Sequence, residues 1–125
     1  MVDHSHPPQP LNDAMARSVA AVRGRFVASL ADRAAELDAL MVLAETEPDA
    51  RRFFLRAVEI VHRIAGVART LGFSDLGDLA FEAERRLGTA LPPAAVTTAA
   101  ETAIEAVDHV VSCIDQITLS GQTAG

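Results

Sequence analysis

The chain has 125 residues, enough for one domain with a single core and too few for a core plus a separate nucleotide-binding module. Half of the residues are apolar, yet the only aromatics are five Phe, a composition that favours helices packed through small side chains. A net charge of −6, with eleven scattered Arg and no Lys, argues against a nucleic-acid partner, which needs a concentrated basic surface.

Residues 1–10 hold three Pro and two His with almost no apolar content, and they read as a disordered leader. Asn12 or Asp13 can cap a short first helix toward Val22, where Gly24 breaks the chain or bends it. A second helix over 25–45 carries Phe26, Leu30, Leu37, Leu40, Met41 and Ala44 at three- and four-residue intervals. Pro48 sits where the next helix begins.

The third helix, over 48–71, is the clearest, because Phe54, Ala57, Val61, Ile64, Ala68 and Leu71 form one apolar stripe and Gly72 follows as a C-cap. Ser74 can cap a fourth helix with Leu76, Leu79, Ala80, Ala83 and Leu87 inside, closed by Gly88. The run Leu91-Pro92-Pro93 separates it from a last helix over 93–118, striped by Val96, Ala100, Ala103, Val107, Val110, Ile114 and Ile117. The polar tail 120–125 is expected to fray.

Short links between amphipathic helices predict an all-α, antiparallel up-and-down four-helix bundle over 11–119, with a short extra N-terminal helix lying across one end. No apolar run is long enough to cross a bilayer, no secretory signal is visible, and the lone Cys113 cannot pair within the chain. These features predict a cytoplasmic monomer.

Opposite the core stripe of the third helix stands His62, roughly 130° from the stripe's centre at about 100° per residue. The same outward sector holds Leu55, Glu59, Gly66 and Arg69. If His62 accepts a phosphoryl group, Glu59 can orient the ring, Gly66 removes the side chain that would block a partner, and Arg69 can reach a phosphoryl oxygen. A glycine in mid-helix costs about 1 kcal/mol relative to Ala, so Gly66 asks for a reason. Leu55 fits the edge of a docking patch.

The segment His62-Arg63-Ile64-Ala65-Gly66-Val67-Ala68-Arg69-Thr70-Leu71-Gly72, followed by Phe73-Ser74-Asp75-Leu76 and Leu79-Ala80-Phe81-Glu82-Ala83-Glu84, resembles the histidine-containing phosphotransfer (HPt) domain. Members share a His, a Gly four residues on, a small-residue stretch and a second Gly that ends the helix. The resemblance is strongest over 57–87, and it extends to an acidic position at Glu84.

The resemblance implies a four-helix bundle that relays phosphoryl groups between the aspartates of response-regulator receiver domains, or from a hybrid histidine kinase to a regulator. His62 is the implied phospho-accepting residue, with Glu59, Gly66 and Arg69 in support and Leu55, Arg63 and Ala65 at the docking surface. The partner receiver supplies the Asp, the acidic pocket and Mg²⁺, so this chain is expected to bind no cofactor or metal of its own. Many members place a Lys three residues after the histidine, where this chain has Ala65.

Two rival readings remain open. One is a non-catalytic bundle that binds a receiver or kinase without being phosphorylated, motivated by Ala65. The other is a kinase dimerisation bundle, disfavoured because His62-Arg63 is neither a His-acid pair nor followed by Pro.

The other polar residues have plainer readings. His4 and His6 make a weak metal-binding tract, His109 is a solvated surface residue, and Cys113 is a small core residue. The pairs Glu45 with Glu47, Asp75 with Asp78, and Glu82 with Glu84 serve as caps or solubilising charge. Arg51, Arg52, Arg56, Arg85 and Arg86 read as ordinary surface charge, with engagement of an acidic receiver as the alternative.

Overall fold

Period-3.6 apolar stripes leave each helix of this chain with one face to bury, and four such faces close on one another. The computed structural model describes residues 9–92 and 97–123, which form α1 (Gln9–Thr46), α2 (Ala50–Thr70), α3 (Ser74–Ala90) and α4 (Thr97–Thr123). Each helix packs against its neighbours in the chain, and α4 closes the ring on α1. The described residues contain no strand.

The core joins Leu30, Leu37 and Met41 of α1 to Phe54, Ile60, Val61 and Ile64 of α2, with Leu76 and Leu87 of α3 and Val107, Val110 and Ile114 of α4. Alanines fill the places where helices approach closely, including Ala57, Ala68, Ala80, Ala83 and Ala103, none of which exposes any surface. No polar or charged side chain is buried among the described residues. The core of the bundle is therefore wholly apolar, and its polar contacts between helices lie at the surface.

The expected short N-terminal helix is not a separate element. Residues 9–24 are the first half of α1, which runs unbroken through Gly24 for about 57 Å at the helical rise of 1.5 Å per residue. A single glycine costs about 1 kcal/mol, too little to end a helix with Ala14, Met15, Ala16, Ala20 and Ala21 on one side and the core on the other. Gln9 and Pro10 also belong to α1, so the leader expected over 1–10 otherwise lies outside the described residues.

At the other terminus α4 is helical to Thr123, and a Cβ at Gly121 would lie 3.9 Å from Val27 Cγ1 of α1. Residues 93–96, where the last helix was expected to begin, and 124–125 lie outside the described residues.

The turn from α2 to α3 sets the register of the functional face. Gly72 takes φ +87°, the only positive value among the described residues, and the Phe73 N–H donates to Ala68 O at 2.8 Å while the Gly72 N–H donates to Arg69 O at 3.3 Å. This double bond pattern is a Schellman cap. Arg23 of α1 donates to the remaining Leu71 carbonyl and lies over the Phe73 ring.

Ser74 does not cap α3 as expected. Phe73 occupies the cap position, its carbonyl accepting from Gly77 N–H at 2.9 Å and its ring packed on Phe26 at 5.6 Å. Gly88 does not close α3 either, since it keeps helical geometry and the helix runs on to Ala90.

Close approach of α2 and α3 depends on Gly77. A Cβ there would lie 2.7 Å from Arg69 Cγ, and Gly77 is buried. Gly77→Val is expected to destabilise the fold by about 2 kcal/mol, measured by urea unfolding, because the branched side chain must push the two helices apart.

Between α1 and α4, burial together with the Asp108 and Asp115 carboxylates raises the Asp38 pKa. The native state therefore binds this proton more tightly than the unfolded chain, and the ionised carboxylate opposes folding above its unfolded pKa. Asp38→Asn is expected to raise the unfolding free energy at pH 7 slightly, by less than about 1 kcal/mol, with the gain disappearing as pH falls through the Asp38 titration, as urea unfolding at several pH values would show.

Candidate functional site

His62 lies mid-way along α2, on the face turned away from Val61 and Ile64, and its side chain is 71% exposed. Its Nδ1 is 2.8 Å from Glu84 Oε2 on α3, a carboxylate 30% exposed. Because an ionised carboxylate only accepts, the bond is made by Nδ1–H, which places the neutral ring's lone pair on Nε2. The ring is thus fixed at one nitrogen and open at the other.

Glu59, the residue expected to orient the ring, is engaged elsewhere. Its carboxylate accepts from Arg56 at 3.0 Å, and the same guanidinium donates to Glu36 of α1 at 2.9 Å. A helical wheel places Glu59 beside His62 but carries no information about the next helix, where the orienting carboxylate stands. Glu84 sits eleven residues after Phe73 at the centre of the turn, and His62 eleven before it, so the hairpin register was the signal for this pair.

Gly66, one turn after His62, is exposed, and a Cβ built there meets nothing within 4 Å. No packing among the described residues therefore requires a glycine at this position. Its carbonyl accepts the Thr70 hydroxyl at 3.0 Å, so the bare backbone is not short of a partner. His62 and Gly66 form a crest between two depressions, one toward α1 and one toward α3, and both residues line each of them.

The α3-side depression contains Ala65, Arg69, Phe81, Glu84 and Arg85. Arg69 is held there by Asp78 at 3.4 Å and by stacking over Phe81 at 5.0 Å, which ties its guanidinium below the crest. Ala65 is only 7% exposed and belongs to the core, so it forms the floor of this depression and not an exposed docking contact. It falls on the buried flank of α2, where a longer residue would have to run out along α3.

The α1-side depression contains Phe26, Leu30, Arg33, Arg63 and Val67. Arg63 is exposed, and Leu55, two turns before His62, is 42% exposed on the same outward sector. Further along α3, Glu82 binds both Arg85 at 2.8 Å and Arg86 at 2.7 Å, and these hydrogen bonds lower its pKa. Arg85 and Arg86 thus satisfy a carboxylate on their own helix.

Other expected polar residues stand apart from this face. His109 lies 3.9 Å from Glu105 on the exposed side of α4. Cys113 is half-buried, and burial with help from Asp75 pushes its thiol pKa up, as suits a residue packed against the core. Among the described residues no group of His, Cys, Asp and Glu is arranged to hold a metal ion, and no helix is long and apolar enough to cross a membrane. His4 and His6 lie outside the described residues.

An exposed, singly anchored imidazole at the middle of an antiparallel four-helix bundle defines a class of protein in which a histidine is presented to an incoming partner. Residues 21–116 match the family model for the Hpt domain, and the chain belongs to that family. Neither a search of curated proteins nor one of solved structures returns a match. Hpt domains carry out histidine phosphotransfer in two-component signalling, and they interact with receiver domains and kinases.

Proposed function

We propose that His62 is the phospho-accepting residue and that the chain relays a phosphoryl group between receiver aspartates, or from a hybrid histidine kinase to a regulator. The observation that carries this reading is the Nδ1–H bond to Glu84 on a ring that is otherwise exposed. In that tautomer Nε2 bears a lone pair and no proton, so nothing has to be removed before attack.

The Nε2 lone pair attacks phosphorus of the aspartyl phosphate in line, the P–O bond to the carboxylate breaks, and the carboxylate leaves with the electron pair. The ring becomes a phosphoimidazolium whose Nδ1–H stays on Glu84, and that carboxylate balances the new positive charge. Return transfer reverses each bond change on a second receiver. The receiver brings the acidic pocket and Mg²⁺, so this chain contributes a nucleophile, its orientation and access.

Access rests on Gly66 and the docking rim on Leu55, while Arg69 braces the α2–α3 side. Incubation with a phosphorylated receiver, following transfer of acid-labile, base-stable label to this chain, tests the reading. Uptake within the lifetime of the receiver phosphate is the expected result, and a failure with every cognate receiver and kinase contradicts it.

Glu84 is expected to act by positioning. Glu84→Ala should lower the transfer rate about tenfold, and Glu84→Gln should restore part of it, because the amide oxygen still accepts from Nδ1–H without balancing the charge. Stopped-flow transfer with each variant separates the two contributions.

The buried Ala65 in a chain without Lys favours one competing reading, a bundle that binds a receiver or kinase and is never phosphorylated. That reading predicts equal receiver affinity for wild type and His62→Ala with no transfer by either.

A further inference from the structure

We propose that Arg33 of α1 and Arg63 of α2 form a cationic clamp that holds the phosphoryl group once it sits on Nε2 of His62. The inference rests on His62 being the phospho-acceptor and assigns the charges that stabilise the carried group.

Nδ1 faces Glu84 on α3, and the two nitrogens of an imidazole point away from each other, so a substituent on Nε2 is carried away from α3. On the α2 wheel Arg63 and Val67 fall on the α1 flank of His62, whereas Ala65 and Arg69 fall on the α3 flank. The phosphoryl group therefore lies toward the depression that His62 shares with Arg33 and Arg63, about 410 Å³ in volume and ample for it.

Availability decides which cations can serve. Seven of the eleven guanidinium groups are held by a carboxylate, a carbonyl or a ring, Arg69 among them. Among the described residues the four without such a partner are Arg17, Arg25, Arg33 and Arg63. Two of these four line the one depression beside the free ring nitrogen.

No carboxylate lines that depression, in a chain whose net charge is −6. Glu59, the nearest acid on α2, is neutralised by Arg56. The buried Leu30 and half-buried Phe26 form an apolar floor that excludes water from one side, which strengthens an ionic contact made there. Two like charges beside an apolar floor repel until an anion arrives, and a phosphoryl dianion matches two guanidinium forks. The clamp thus replaces, from the α1 side, the cation that Ala65 cannot supply from the α3 side.

The test uses the whole chain and phosphoramidate, a small donor that phosphorylates imidazole as its P–N bond breaks and ammonia leaves with the electron pair and a proton. Phosphohistidine formed this way is followed by ³¹P NMR across pH in wild type, Arg33→Gln/Arg63→Gln and the control Arg17→Gln. Removing both guanidinium groups should make the phosphoryl group titrate about one pH unit higher and slow uptake about tenfold, with Arg33→Lys/Arg63→Lys recovering part of both. Arg17→Gln should match wild type.

A labelled wild type whose titration and uptake rate are the same in the Gln double variant overturns the clamp and leaves the phospho-acceptor reading standing. A wild type that takes no label at His62 overturns both. Helical circular dichroism of each variant excludes unfolding, since Arg63 is exposed and Arg33 half-buried.

Discussion

His62→Gln is expected to take up no label from a phosphorylated receiver and to unfold at the same temperature as the wild type. Complete loss of transfer is expected because, among the described residues, no other histidine stands on this face: His109 is on α4 beside Glu105. Stability should be unchanged because the ring is 71% exposed and its one polar contact is a surface pair with Glu84, worth about 0–1 kcal/mol. Glutamine also keeps a donor for that carboxylate. A Tm that falls by many degrees would mean the ring is part of the core, and retained uptake would mean that another residue accepts the group.

Gly66 separates stability from function in the opposite direction. Gly66→Ala is expected to stabilise the protein by about 1 kcal/mol, since α2 gains helix propensity and the new methyl meets nothing within 4 Å. Gly66→Leu keeps the fold but raises a side chain on the crest beside His62, holding a docked receiver away from in-line attack. A misplacement of about 1 Å can cost roughly 100-fold, so receiver-dependent transfer should fall by at least that factor. Labelling by phosphoramidate should change much less, because a small donor needs no docking surface. Equal losses with both donors would show that Gly66 acts on the histidine itself and not on access.

These two residues were legible in the sequence because each depends on one helix. The stripe of Phe54, Ala57, Val61, Ile64 and Ala68 fixes which side of α2 is buried, and His62 and Gly66 follow as exposed from the 3.6-residue period. Gly72 was equally legible, since a glycine after the last apolar residue of a stripe is the ordinary way to reach positive φ.

What depended on two helices was not legible from a wheel. Glu59 was the nearest carboxylate on α2, yet Glu84 reaches the ring because the α2–α3 hairpin sets His62 and Glu84 level across the Phe73 turn. Arg69 looked free on its own helix and is held by Asp78 and Phe81 of the next. Gly24 shows the converse error, in which a local breaker is overruled by helix formers on both sides of it.

One phosphorylated species is expected above all others. After phosphorylation by a receiver, peptide mapping at neutral pH should recover the phosphate on the peptide containing His62, and two-dimensional NMR should place it on Nε2 with Nδ1 still protonated. Phosphate recovered on His109, on a carboxylate or on Nδ1 of His62 would contradict it.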